Sequence, residues 1–243
     1  VGNASQRVQE DYLRILRYFR FRTRYGKSDE QDAQNAIIRH AEGLIQIAAE
    51  RIWKEMSQII SHSNGGRELR LMKTLGVTQV VGLPFDESRL DLYRKVLWIS
   101  DSPAVLLGVL LPGPDVADEV AQRWRLSNRD RFRAITAAHV VADGRSEPQH
   151  WRNRQFDGLA SDALYDVLSA TGRQEAARSL FEVFPELPVK GRDLIANGVT
   201  PGLTLGRALK DLEEAWRDSD FTLGRDDLLS RYRDSVSNDE GGP

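Results

Sequence analysis

Glu10, Asp11 and Arg14 have the residue types and the spacing to read a hydrogen-bond pattern. On a helix, Asp11 and Arg14 stand three apart and share a face, Arg17 and Arg24 continue along it, and Glu10, four before Arg14, can pair with that guanidinium and fix its direction. An ordered carboxylate beside an ordered guanidinium offers an acceptor next to a donor. Cytosine and adenine both present the complement, an exocyclic amine beside an unprotonated ring nitrogen. Guanine and uracil present a carbonyl beside a ring N–H, the opposite order. Each mismatch leaves a donor facing a donor, at about 1–3 kcal/mol when buried. The same spacing also fits an ordinary amphipathic helix with weak ion pairs on its wet face, and on spacing alone both readings stand.

The elements that must position these side chains are helical. Tyr12, Ile15, Leu16 and Phe19 fall at i, i+3, i+4 and i+7 of a helix expected over 6–24 and ending near Gly26. "SDEQ" at 28–31 has a capping-box pattern and opens a helix to about residue 48. "AERIWKEMSQIIS" makes the next helix, and Gly65 with Gly66 marks a break. Further helices are expected at 67–75, 87–99, 103–111, 115–125, 128–142 (capped by Ser127 and closed by Gly144), 147–170, 173–184, 201–218 and 225–235. The best strand candidate is the short "VTQVVG" at 77–82. The fold class is all-α with no fixed-period repeat. "SHSNGG" at 61–66, "LLPGPD" at 110–115 and "FPELPVKG" at 184–191 are the candidate breaks, and "SVSNDEGGP" reads as a frayed tail. Trp53, Trp98, Trp151 and Trp216 lie in helical stretches and are expected in the core.

Composition narrows the function classes. The chain is 40% hydrophobic and 29% charged with a formal net charge of −2, a globular balance that leaves room for local charged patches. With no cysteine, disulfides, zinc–thiolate sites and thiol nucleophiles are excluded. The apolar run "AVLLGVLLP" from Ala104 is far too short to span a bilayer. The polar, acidic start does not resemble a signal peptide, which makes the cytoplasm the expected location and a membrane partner unexpected. The four histidines, His40, His62, His139 and His150, are scattered, and phosphate-loop, dinucleotide and nucleophile-elbow motifs are missing from the sequence. No catalytic or metal-ligating set is expected. The start at Val1, inside helical sequence and without Met, suggests a piece of something longer.

The segment "RVQEDYLRILRYFRF", Arg7 to Phe21, resembles the neck-helix signature of the class II tRNA nucleotidyltransferases, which are the CCA-adding enzymes and their bacterial poly(A) polymerase relatives. In that family an E-D-x-x-R segment sits within a pattern like R-I-x-E-D-x-L-R-I-L-R-x-x-R-F. "AERIWKEMSQII" is similar to the family's E-R-[IL]-x-x-E-[LM] block, and "VKGRDLIANGVTPGLTLGRALKDLEEAW" to its G-x-D-L-x-x-x-G-x-x-P-G-x-x-[LI]-G-x-x-L segment. The resemblance implies that Asp11 and Arg14 hydrogen-bond incoming ATP or CTP, that Glu10 orients Arg14, that Arg17 lies near the nucleotide or its phosphates, and that Arg51 and Glu55 brace the neck. The family's catalytic head, with a "GGxVRD"-like segment and a D-x-D pair that holds the metals, has no counterpart here. Mg2+ with ATP or CTP would therefore be handled by a missing head, none would be bound by this part alone, and this part alone would be inactive.

By the same resemblance the arrangement is an elongated, multi-helix neck (1–62), body (63–184) and tail (185–235), followed by a disordered tail (236–243). It would be the nucleotide-selecting and RNA-binding portion of an enzyme that adds C, C and A to tRNA 3′ ends. The alternatives are the same portion of a poly(A) polymerase that adds A to RNA 3′ ends, and a non-enzymatic helical adaptor. Two segments could hold RNA. "RWRLSNRDRFR" offers Arg123, Arg125, Arg129, Arg131 and Arg133 with Trp124 and Phe132 interleaved, which suits phosphates and unstacked bases or else a solvated helix junction with its aromatics in the core. "PVKGRDLIANGVTPGLTLGRALK" offers Lys190, Arg192, Arg207 and Lys210, with Thr200-Pro201-Gly202 opening a helix whose N–H groups could meet a phosphate or form a plain proline helix start.

Overall fold

Asp11 interrupts the helix expected over 6–24. The computed structural model describes residues 4–26, 31–182, 186–219 and 221–239, the side chains of 156 and 236–239 excepted. In it the first segment forms two helices, α1 (Ala4–Glu10) and α2 (Leu13–Tyr25). Asp11 Oδ1 accepts the Leu13 N–H at 3.1 Å, an Asx-type turn in which a short side chain competes with the helical ladder for a backbone donor. The apolar face survives the break: Leu13, Ile15, Leu16 and Phe19 are buried.

α3 (Gln31–His40), a 3-10 turn at Ala41–Gln46, and α4 (Ala49–Ile60) follow. Ser28, which starts the expected capping box, lies outside the described residues. The expected break falls at 61–64, between α4 and the next helix; Gly65 and Gly66 lie just after it, where they begin α5 (Gly65–Thr74) and are buried in its first turn. A Cβ on Gly65 would stand 2.3 Å from the Ile59 carbonyl oxygen and 2.6 Å from the Tyr93 hydroxyl, so glycine is required there by close approach. The expected strand at 77–82 is instead α6 (Val77–Val81), bracketed by Gly76 and Gly82 at φ +76° and +70°. Val77, Thr78 and Val81 are buried together, a helical spacing that five residues of apparent alternation had masked.

The centre of the larger unit is α8 (Pro103–Leu110), whose residues from Ala104 to Leu110 are all buried. Before it come a 3-10 turn at Glu87–Arg89 and α7 (Leu90–Leu97); after it come α9 (Pro114–Arg123) and α10 (Asn128–Ala142). Ser127 caps α10 as expected, accepting the Asp130 N–H at 3.1 Å. α10 lies so close along α8 that a Cβ on Gly108 would fall 2.1 Å from the Ala134 carbonyl oxygen. The helix expected over 147–170 is split into α11 (Pro148–Phe156) and α12 (Ser161–Ala170), with Gly158 between them at φ +97°. α13 (Gln174–Ser179) completes this unit.

The chain divides into two compact units, Val1–Leu180 and Phe181–Pro243. The second contains α14 (Gly191–Ala196), α15 (Leu203–Asp218) and α16 (Arg225–Asp239) around its own core of Val189, Leu194, Val199, Ala208, Leu212, Trp216, Leu228 and Leu229. α15 starts later than expected: Pro201 sits in the preceding turn, and Gly202, at φ +116°, is the residue from which the helix departs. α14 had no counterpart among the expected helices. α16 runs past residue 235 to Asp239; the expected frayed tail lies outside the described residues from 240 onward, and the break at 184–191 does so at 184 and 185. Every described regular element is helical. Among the described residues no helix is long and apolar enough to cross a membrane.

Three of the four tryptophans expected in the core are packed: Trp151 and Trp216 are buried, and Trp53 stacks on Trp124 with ring centroids 6.0 Å apart. Trp98 is the exception, at 86% exposure. α7 turns Leu90, Tyr93 and Val96 inward, and Trp98, two residues past Val96 at the helix end, emerges on the opposite side. Replacing Gly108 by Ala should destabilise the larger unit by about 1–3 kcal/mol through forced separation of α8 from α10; urea unfolding measures it, and an unchanged midpoint would contradict the close packing.

Candidate functional site

The two sides of the α1–α2 break carry the residues singled out by spacing. Arg14 reaches back across it: its Nη1 donates to Glu10 Oε2 at 2.7 Å and to the Arg7 carbonyl at 2.8 Å. A cation is thereby placed on the C-terminal carbonyls of α1, where the helix dipole favours it. Asp11 faces the other way. Its Oδ2 lies 3.5 Å from Arg17 Nη1 and its Oδ1 3.7 Å from Arg51 Nη2. Asp11 and Arg14 are not paired with one another, so neither neutralises the other. Arg14 keeps Nε and Nη2 as unengaged donors, and both side chains are partly open to solvent, at 27% and 42% exposure.

Behind this pair stands a layer of buried carboxylates. Glu55, on α4, takes Arg20 Nε at 2.7 Å and Arg17 Nε at 3.4 Å, while Arg20 Nη1 also donates to Gln58 Oε1 at 3.2 Å. Glu55 and Arg51 thus both reach the α2 segment, Glu55 from below through Arg17 and Arg20, Arg51 directly to Asp11. One turn further along, the fully buried Glu68 of α5 is held by Arg22 Nε at 2.9 Å and Arg67 Nη2 at 2.8 Å. Burial works against the charge on Arg22, but the hydrogen bond and charge of Glu68 outweigh it and raise the guanidinium above its ordinary value. Arg67 also donates to the Arg22 and Gly26 carbonyls at 3.3 Å each, tying the end of α2 to α5.

Arg20, Arg22, Arg67 and Glu68 were not anticipated. For Glu68 a signal existed: Gly65, Glu68, Leu69 and Met72, all buried, fall at i, i+3, i+4 and i+7, so Glu68 occupies a core position of that pattern. A carboxylate in such a register requires a buried cation.

The arginine-rich stretch at 123–133 is more neutral in space than in sequence. Arg125 pairs with Glu50 at 3.0 Å, Arg131 with Asp118 through an Nη2–Oδ2 contact of 2.9 Å, and Arg133 with Asp162. The Arg131 hydrogen bond holds Asp118 below the usual carboxylate range. Arg123 donates to the Gly82 carbonyl at 3.2 Å, and the charge of exposed Arg129 acts on Asp162. Trp124 is buried with its indole N–H on the Val81 carbonyl at 2.8 Å, so it offers no face to a base; Phe132 is exposed. In the second unit the Lys190 N–H is held by Asp193 Oδ2 at 2.8 Å, and Asp193 also pairs with Arg225 at 2.9 Å. Lys210 lies 4.0 Å from Glu214, Arg192 is exposed, and Arg207 lines a groove between α15 and α16 with Arg231 and Tyr232.

Among the described residues no three histidine, aspartate or glutamate side chains converge as a metal would require. The described residues therefore offer no donor set that fits a resident Mg2+.

A family profile described as "Probable RNA and SrmB- binding site of polymerase A" matches residues 30–84. The mitochondrial CCA tRNA nucleotidyltransferase 1 of Danio rerio is 31% identical over 254 residues, covering 97% of this chain and 58% of that protein. The CCA-adding enzyme of Leuconostoc mesenteroides is 27% identical over 257 residues, covering 99% of this chain and 63% of that protein. The chain thus spans about three fifths of the length of these relatives. The crystal structure of the Bacillus stearothermophilus CCA-adding enzyme in complex with CTP shares the fold at a TM-score of 0.69, with 23% identity over 98% of this chain and 66% of that one.

Removing the Glu68 carboxylate would leave Arg22, whose side chain is only 11% exposed, without its buried counter-charge. Glu68→Ala should cost about 3–5 kcal/mol of stability. Chemical denaturation of the variant checks this, and a loss below about 1 kcal/mol would show that the pair is not structural.

Proposed function

We propose that this chain, class II CCA-adding-enzyme-like along nearly its whole length, is the nucleotide-selecting and RNA-holding portion of a nucleotidyltransferase that adds C, C and A to tRNA 3′ ends from CTP and ATP. The observation that carries the reading is the divided hold on Asp11 and Arg14. Glu10 and the Arg7 carbonyl position Arg14 from one side of the helix break. Arg17, Arg51 and the Leu13 N–H position Asp11 from the other. A carboxylate acceptor and a guanidinium donor are thereby kept apart from each other and still able to bond outward.

A base with an amine beside an unprotonated ring nitrogen satisfies both: its amine donates to Asp11, and its ring nitrogen accepts from Arg14. A base of the opposite order sets a carbonyl against the carboxylate and an N–H against the guanidinium, and both contacts are lost. Glu55 holds Arg17 and Arg20 from the buried side, so the face that reads the base rests on a fixed layer. In this reading the transfer chemistry, with its Mg2+, is the work of a catalytic head of the kind the family resemblance implies, and the residues described above select the base and hold the RNA.

The RNA is held through phosphates by exposed cations, Arg129, Arg192 and Arg207 foremost. Arg123, Arg125, Arg131, Arg133, Lys190 and Lys210 contribute from their existing contacts. A poly(A) polymerase is the second reading, favoured by the family description that names polymerase A.

The full-length natural protein, given tRNA lacking its terminal CCA, should incorporate CMP and AMP and reject GTP and UTP. A product built from ATP alone would transfer the conclusion to the poly(A) reading, and no transfer at all would favour a helical adaptor. Asp11→Ala and Arg14→Ala should each lower the preference for CTP over UTP by roughly tenfold to a hundredfold, the loss of one selective contact; an unchanged preference would end the base-reading account. tRNA affinity of this chain should fall steeply as salt rises from about 50 to 200 mM if phosphates are gripped, and a flat response would exclude that grip.

A further inference from the structure

The helix break that separates Asp11 from Arg14 is seated on a residue far away in sequence. Tyr12, the residue inside the break, lays its ring directly on the backbone of Gly43 in the 3-10 turn Ala41–Gln46. A Cβ built on Gly43 would stand 2.2 Å from Tyr12 Cδ1, 2.2 Å from Cε1 and 2.4 Å from Cγ. Approaches that short do not occur between real atoms, and the obstructed atoms include Cγ at the root of the ring. A rigid ring cannot evade such a clash by swinging its far end; χ1 or the backbone of Tyr12 must move.

Gly43 is itself buried, so its own backbone has little room to retreat. Three residues before it, at the end of α3, His40 holds the other side of the break: its Nε2 lies 2.5 Å from Ser5 Oγ and 3.3 Å from Gln9 Nε2, both on α1. One turn of the chain, 40–43, therefore grips α1 and Tyr12 together.

We propose that Gly43 is a positioning residue for base selection: its missing side chain seats Tyr12, and the seat fixes where Asp11 and Arg14 stand relative to one another. Tyr12 is bonded to Asp11, whose carboxylate position depends on the Leu13 N–H two residues on, and Arg14 follows two residues after Tyr12. A displacement of the Tyr12 backbone moves the acceptor and the donor by different amounts. The pair keeps its chemistry and loses its spacing. The inference rests on the base-reading role given above to Asp11 and Arg14, and it adds that the spacing is enforced from residue 43 through one aromatic ring.

The test is a double-mutant cycle in the full-length natural protein, reading the CTP-over-UTP ratio of kcat/KM on tRNA lacking its terminus, with the thermal midpoint of each variant as the folding control. Gly43→Ala should lower the ratio by roughly tenfold or more, as expected when a reacting arrangement is displaced by about an ångström. In a Tyr12→Ala background, where the ring is gone, the further change Gly43→Ala should alter the ratio by less than about twofold, because the two act through one contact. If Gly43→Ala lowers stability but leaves the ratio at the parent value, or lowers it equally with and without the Tyr12 ring, the proposal is overturned. If the parent itself does not distinguish CTP from UTP, it is the base-reading role that fails, and the proposal falls with it.

Discussion

The hydrogen bond from the Leu13 N–H to the Asp11 carboxylate is the constraint on which the candidate site depends. Without it, residues 4–25 would form one helix, and Asp11 and Arg14 would project from a common face close enough to pair. With it, the chain restarts after one turn. Arg14 folds back over the end of α1 while Asp11 looks toward α4. The site's selectivity in this account follows from the separation, since a carboxylate and a guanidinium that satisfy each other have nothing left to offer a base.

Holding such a break is costly unless the surroundings determine it, and they do so with charge as well as with apolar packing. Glu55 and Glu68 are buried acids facing the arginine side of α2, and each is met by two guanidinium groups. Buried ion pairs contribute little net stability compared with a hydrophobic replacement of the same shape, but removing one member is expensive. Their effect is therefore on register: α2 can neither rotate nor slide without stranding a charge. The apolar face of Leu13, Ile15, Leu16 and Phe19 supplies the cohesion, and the acids fix which rotation is adopted.

Much of this was legible in the residues. The all-α class, the Ser127 cap, the bounds of α10 and the pairing of Glu10 with Arg14 follow from spacing and capping chemistry that act locally. The break at Asp11 was not legible, because the apolar periodicity runs through it undisturbed; only the competition of one short acidic side chain for one backbone N–H decides it. The helix at 77–81 looked like a strand because five residues cannot separate a period of 2 from one of 3.6. Gly65 and Gly66 read as the break itself, although they belong to the helix that follows it, and Gly65 is small for another reason, the approach of Ile59 and Tyr93. The arginines at 123–133 looked like an unopposed patch because their partners Glu50, Asp118 and Asp162 lie elsewhere in the chain. The glycine contacts and the arginine partners are non-local; the break at Asp11 and the short helix were missed at close range, where one side-chain bond and a five-residue run decide the outcome.

The most direct measurement is a titration of the 243-residue chain with each of the four ribonucleoside triphosphates, followed by NMR at the arginine side-chain N–H resonances. The account predicts that CTP and ATP shift the Arg14 Nε–H signal in a saturable way and that UTP and GTP leave it where it was. An Arg14 signal that ignores all four nucleotides, or answers all four alike, would contradict it.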